Sequence, residues 1–220
     1  MSITHFDNSY GHLELILSCM FAGKSSSLIN KLNLFSLMGV RCLYVNHALD
    51  TRGDAFSTHN PTLTCIGNIS SIKTETLREI DFDDYDVIGI DEAGFFPDLT
   101  HVVLELVEKH QKRVIVAGLT GDYQRRPLGQ TLDLIPYADA VTKLSAVCKR
   151  CAEKRMMREA SFSHRVQPST SQIEVGFGYV PLCRSCYLEA TRSHEETLKE
   201  TRSQEEPQET LGKTTPRSDQ

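Results

Sequence analysis

No apolar run in this 220-residue chain approaches the ~20 residues that a membrane-spanning helix needs. The N-terminal stretch MSITHFDNSYG lacks the basic-then-apolar order of a secretory signal. A membrane protein and a secreted one are both excluded as readings, and the cytoplasm is the expected compartment. Excess positive charge is missing too: the formal net charge is -5 and the pI about 5.9. No basic face is expected, so nucleic acid is not a partner, whereas a nucleotide needs only one local pocket and stays open as a ligand. The eight histidines stand at no spacing suited to a metal. What the chain does hold is 40% hydrophobic residues, enough for one ordinary domain with a real core and a small appendage. Seven cysteines in a chain of this kind read as reduced thiols and metal ligands rather than disulfides.

The stretch that organises the chain is residues 13–27, LELILSCMFAGKSSS. A short apolar run passes into small residues and then Gly23, Lys24 and Ser25, ahead of a helical pattern. This is the layout of a phosphate-binding loop, in which a strand delivers the chain to backbone N–H groups facing a polyphosphate at a helix N-terminus. Ser18, Cys19, Met20, Phe21, Ala22, Gly23, Lys24 and Ser25 make the loop, with Lys24 reaching the β- and γ-phosphates and Ser25 holding Mg²⁺. The usual first glycine is Ser18 here; if that position demands φ > 0, serine costs roughly 1–3 kcal/mol there. Leu28, Ile29, Leu32 and Phe35 recur at helical spacing, and Gly39 ends the run.

Residues 41–45 (RCLYV) read as a second, buried strand ending at Asn46. The polar stretch to Asn60 places Asp50, Thr51, Arg52 and Gly53 in a loop overhanging the nucleotide. Arg52 there is either a phosphate contact or a solvated loop arginine. A short strand is expected over 62–66 and a helix over 72–80 capped by Thr74. The apolar run 85–90 ends in Asp91 and Glu92. An acid at the end of a neighbouring strand completes the Mg²⁺ shell of a phosphate-loop protein, which suits Asp91. Adjacent strand side chains point apart, so Glu92 has a different task unless the chain turns at once, as Gly94 and Pro97 suggest.

Residues 99–110 read as a helix and 113–117 (RVIVA) as another buried strand. The βαβ alternation predicts an α/β fold: a mostly parallel sheet of the phosphate-loop NTPase kind, flanked by helices, with ligands at the strand carboxyl ends. Residues 118–129 (GLTGDYQRRPLG) form a loop at that edge, with Tyr123 as an aromatic platform. Arg125 and Arg126 are transition-state cations or ordinary solvated arginines. A last strand is expected over 139–147. Cys148 and Cys151, then Cys183 and Cys186, form two Cys-x₂-Cys knuckles whose thiolates close a tetrahedral structural Zn²⁺ site. Cys19, Cys42 and Cys65 lack such partners and read as core or loop residues, and His164 as a surface residue. From Thr191 onward the chain is too polar to order itself, and a disordered tail is expected.

Taken in order, SCMFAGKSS, DTR, DEAGFF, YQRRP and the two knuckles resemble the cytosolic, zinc-containing (type II) thymidine kinases, over about residues 11–187. The resemblance implies an ATP-binding α/β domain over 12–147 and a zinc-ribbon domain with a lasso loop over 148–190. A flexible lead-in over 1–11 and a tail over 191–220 flank them. It implies transfer of the γ-phosphate of ATP, with Mg²⁺, to the 5′-hydroxyl of thymidine, and a homo-oligomer, often a tetramer. Carried over by position, Glu92 becomes the general base and Asp91 the Mg²⁺-associated acid, with Ala93 and Gly94 beside them. Phe95, Phe96 and Tyr123 pack around sugar and base, and Ile173, Glu174, Val175, Gly176 and Tyr179 form the lasso. The chain departs from the family at Ser18, at Cys19, at Gly94 where glutamine is common, at Thr120, and in a shorter lasso. The alternative reading is a divergent nucleotide-binding protein of the same fold that has lost turnover.

Overall fold

The computed structural model describes residues 10–50, 69–166 and 178–192. Its centre is a six-stranded sheet in the order β3-β2-β4-β5-β1-β6. The strands are β1 (His12–Ser18), β2 (Cys42–His47), β3 (Ile69–Thr74), β4 (Val87–Ile90), β5 (Arg113–Leu119) and β6 (Ala140–Lys143), and every pairing is parallel. Parallel strands need crossovers over the faces, and both faces here are covered. Leu13, Leu15, Val45, Ile88, Ile90, Val114 and Val116 face one side, where they meet Leu99, Val103 and Leu106 of α2 (Leu99–Leu104) and the π-helical turn that follows it. Ile16, Tyr44 and Ile115 face the other, against Leu28, Ile29 and Leu32 of α1 (Lys24–Leu37). The period-2 alternation of the strands sorts these two layers. α1 approaches so closely that a Cβ on Gly89 would lie 2.8 Å from Leu32 Cδ1.

Two local expectations are corrected. Residues 72–80 do not form a helix: the chain makes β3 through Thr74 and then a 3₁₀ turn, Leu77–Glu79. Leu77 and Ile80, three apart, look helical in sequence, but among the described residues β3 pairs with β2 alone and is half exposed, so it carries no alternating signal. The strand expected over 139–147 is broken: β6 stays on the central sheet, while β7 (Ala146–Val147) leaves it and pairs with β8 (Glu159–Ala160). The strand expected over 62–66, Cys65, and nearly all of the lead-in and the tail lie outside the described residues.

Beyond β7 come the short α3 (Lys149–Glu153), β8, and the hairpin of β9 (Phe162–Arg165) and β10 (Tyr179–Leu182), then a helix over 184–192. Their small core joins Cys148, Cys151, Ala160, Leu182, Cys183 and Tyr187 to Cys19 of the loop after β1. The cysteine unit is thereby packed onto the sequence-predicted phosphate loop itself.

Candidate active site

β1 ends at Ser18, whose carbonyl accepts from the Thr120 N–H at 2.9 Å, and α1 begins at Lys24. Between them Phe21 (φ 63°) and Gly23 (φ 81°) take left-handed backbone; Ser18 does not. The conditional cost of serine for glycine at position 18 therefore does not arise, because the left-handed turn falls three residues later. The Ser18 hydroxyl donates to the Cys19 carbonyl at 2.8 Å, and Lys24 Nζ donates to the same carbonyl at 3.2 Å. Cys19 is a packing residue, as expected: its buried thiol donates to Ala160 O at 3.3 Å, and burial pushes its pKa up. The Met20 N–H donates to Ser163 Oγ on β9 at 3.0 Å, a second tie between the loop and the cysteine unit.

Asp91, at the carboxyl end of β4, is fully buried and accepts from Tyr44 Oη at 2.8 Å and from the Glu92 N–H at 2.9 Å, and the nearby Ser25 hydroxyl favours its carboxylate. Burial, reinforced by the neighbouring Glu92 carboxylate, raises its pKa to about 6 despite those donors. Glu92 has φ 49° and opens a 3₁₀ turn, Ala93–Phe95. The chain thus turns directly after the acids. His47 lies beside them: its Nδ1 accepts from the Leu49 N–H at 3.1 Å, and its ring meets Phe96 edge-on at 4.8 Å and Phe95 at 5.6 Å. Burial lowers the His47 pKa against the opposing pull of the Glu75 backbone and of Glu75 and Glu92. Phe96 is only 1% exposed and belongs to the core. Asp50 is also buried, held by Asn46 Nδ2 at 2.9 Å, while Thr51 and Arg52 lie outside the described residues.

The loop after β5 closes on the same edge. A Cβ on Gly94 would lie 3.0 Å from the Leu128 carbonyl, and one on Gly129 (φ +57°) would overlap the Gly94 carbonyl oxygen. Gly94, standing where the resembled family carries glutamine, leaves room for this contact. Buried Asp122 folds the loop by accepting from the Gln124 and Arg126 N–H groups at 2.8 and 2.9 Å and from Arg126 Nε at 2.9 Å. Arg126 is thereby paired, and Arg125 stacks 4.9 Å from the Tyr187 ring. Tyr123 lies under the Arg165 guanidinium at 4.0 Å, and Arg165 also holds Tyr179 Oη. A cavity of about 150 Å³ opens between this loop and β9, lined by Thr120, Asp122, Lys143, Ser161 and Ser163 among others. Ile173, Glu174, Val175 and Gly176 lie outside the described residues.

The sulfurs of Cys148, Cys151, Cys183 and Cys186 all lie within 4.8 Å of one another, with Cys151 at 3.9 Å from Cys183 and 3.7 Å from Cys186. A tetrahedron of Zn–S bonds of about 2.3 Å has edges of about 3.8 Å, close to the two shorter separations, so the cluster is compatible with Zn²⁺. The thiols also pull apart in acidity. The Ser185 hydroxyl draws Cys183 down to about 6, whereas burial and then the neighbouring sulfurs push Cys186 up to about 12. Four adjacent thiolates require a cation to coexist, which is the chemistry of a metal site.

The family model described as thymidine kinase matches residues 11–187. The chain belongs to the thymidine kinase family. It is 37% identical over 186 residues to the thymidine kinase of Monkeypox virus, covering 82% of this chain and 98% of that protein. The vaccinia virus (strain Western Reserve) thymidine kinase is 36% identical over 186 residues, with the same coverage. That of raccoon poxvirus is 38% identical over 184 residues, covering 81% and 97%. No helix among the described residues of this thymidine kinase family member is long and apolar enough to cross a membrane.

Several residues at this edge escaped the sequence reading: Tyr44 and His47 on β2, Asp122 in its loop, and Ser163 and Arg165 on β9. For the first two a signal existed. Tyr44, Asn46 and His47 are polar-tipped residues in an otherwise apolar buried strand, and buried polar groups must be partnered. β9 offered less, since Ser163 and Arg165 share its inward face only once the hairpin is formed.

Proposed function

We propose that this chain is an ATP-dependent thymidine kinase that transfers the γ-phosphate of ATP to the 5′-hydroxyl of thymidine, giving thymidine monophosphate. The observation that carries the reading is the meeting of the loop after β1 with the end of β4, where the Ser25 hydroxyl acts on the fully buried Asp91 carboxylate and Lys24 and Glu92 are their neighbours in the chain. The names of the viral relatives supply the substrate, and the absence of left-handed strain at Ser18 supports retained turnover over the divergent alternative.

In this reading the loop N–H groups bind the phosphates, and Lys24 leaves the Cys19 carbonyl to neutralise charge on the β/γ side. Mg²⁺, when bound, supplies positive charge to the phosphate oxygens; Ser25 and Asp91 are the residues that would hold it. They fit: a fully buried acid whose pKa rises to about 6 beside a second carboxylate is a site that gains from a dication. Glu92 orients the 5′-hydroxyl and accepts its proton as transfer proceeds, a task that needs position more than basicity. Tyr44 keeps Asp91 in place through its 2.8 Å bond. Phe95, Tyr123 and Tyr179 wall the nucleoside, with the lasso residues completing its base end. The ATP-binding and zinc-ribbon division near residue 147, a homo-oligomeric assembly and a cytoplasmic location belong to the same reading. Incubating purified protein with ATP, Mg²⁺ and each deoxynucleoside tests it: thymidine monophosphate is the expected product, and nucleotide binding without any product would overturn it.

A further inference from the structure

We infer that Arg165 is a positioning residue that sets the aperture of the nucleoside pocket, an assignment that rests on the reading just given. Arg165 is on the inward face of β9 and only 7% exposed. Its guanidinium lies 4.0 Å from the centroid of the Tyr123 ring, on the loop after β5. The same group sends Nη2 and Nε to Tyr179 Oη on β10, at 2.7 and 3.2 Å. One buried cation therefore ties together two aromatic side chains that come from separate elements. Arg165 and Tyr179 are also cross-strand partners, and the next backbone bond, Val166 N–H to Gly178 O at 2.7 Å, closes the hairpin at the root of the connecting segment.

The choice of arginine follows from this double duty. A guanidinium is planar, so it can lie flat on the Tyr123 ring while two of its N–H groups point in-plane at one phenol oxygen. A lysine ammonium is a point charge and cannot do both. The bonds also fix the Tyr179 phenol as an acceptor toward Arg165, leaving its own proton to point elsewhere. Loss of the clamp frees both aromatic walls without touching Lys24, Asp91 or Glu92, so binding of the nucleoside weakens while the phosphate side keeps its geometry.

The test is steady-state kinetics on the full chain with Arg165→Met and Arg165→Lys, combined with amide hydrogen exchange on the ligand-free proteins. Arg165→Met is expected to raise the thymidine KM roughly tenfold, a loss in the range of one desolvated cation–π and hydrogen-bond site, with the ATP KM and kcat within about twofold. Arg165→Lys, which keeps the charge and the fold but not the fork, falls between. Exchange should quicken over residues 120–126 and 178–182 in both variants. An unchanged thymidine KM, a parallel rise in the ATP KM, or unchanged exchange in both segments overturns the assignment. Wild-type protein that phosphorylates no thymidine would overturn the functional reading instead, and the exchange measurement decides the clamp without any substrate.

Discussion

The Tyr187 hydroxyl donates to the Tyr123 carbonyl at 2.6 Å, joining the residue next to the last cysteine of the cluster to the loop that carries an aromatic wall of the proposed nucleoside site. Arg125 from the same loop covers the Tyr187 ring at 4.9 Å. The cysteine unit consequently shapes that loop as well as holding itself together. Replacing Tyr187 with Phe removes the donor and leaves the ring, so the loss should be about 1 kcal/mol, the net worth of a typical hydrogen bond. A thermal melt and a thymidine KM raised a few-fold, with ATP binding unaltered, are the expected results.

One Zn²⁺ per chain is expected by elemental analysis, bound by Cys148, Cys151, Cys183 and Cys186. Cys151→Ser, which removes a sulfur 3.9 and 3.7 Å from those of Cys183 and Cys186, should abolish stoichiometric zinc and lower the melting temperature. Because the small core around the cysteines reaches Cys19, chelation should also loosen the loop before Lys24, seen as a weaker ATP affinity.

The raised pKa of Asp91 fixes the sign of a pH effect. A carboxyl whose pKa climbs from 3.8 to about 6 on folding binds more protons folded than unfolded across that interval. Metal-free protein should therefore lose stability from this group as pH rises from about 4 to 6, and level off above. Mg²⁺–ATP binding runs the other way: protons compete for Asp91, so affinity should fall below pH 6. Calorimetry at pH 5 and pH 7.5 checks both directions, and Asp91→Asn should flatten both profiles.

Gly94 and Gly129 touch across two loops, yet they should respond differently to alanine. A Cβ on Gly129 overlaps the Gly94 carbonyl oxygen and sits at φ +57°, so both clash and backbone strain oppose it. Gly129→Ala is expected to cost about 2–4 kcal/mol by denaturant unfolding. Gly94→Ala meets Leu128 at 3.0–3.2 Å with no such strain, and the loss should be about 1 kcal/mol.

The main elements were legible because their signals are local. Residues 13–27 carry strand, loop and helix start in one window, and the runs at β2, β4 and β5 are continuous because both faces of the sheet are covered. The cysteine knuckles were equally plain, since their spacing is itself the ligand geometry. Edge strand β3 was not, because a half-exposed strand needs no apolar alternation. Nor were the residues that bridge elements. The bond from Tyr44 to Asp91 spans 47 positions, and that from Met20 to Ser163 spans 143. Neither Arg125 nor Arg126 could be assigned from sequence, since only the fold shows one paired with Asp122 and the other on Tyr187.

The proposed phosphoryl transfer depends on Glu92 acting at the 5′-hydroxyl beside a triphosphate held by Lys24. The most direct measurement is the rate of thymidine monophosphate formation by Glu92→Gln against wild type at saturating ATP and Mg²⁺. Loss of a positioned general base predicts a kcat lower by about 10²–10⁴, with the ATP KM little changed. Turnover by Glu92→Gln at the wild-type rate would contradict it.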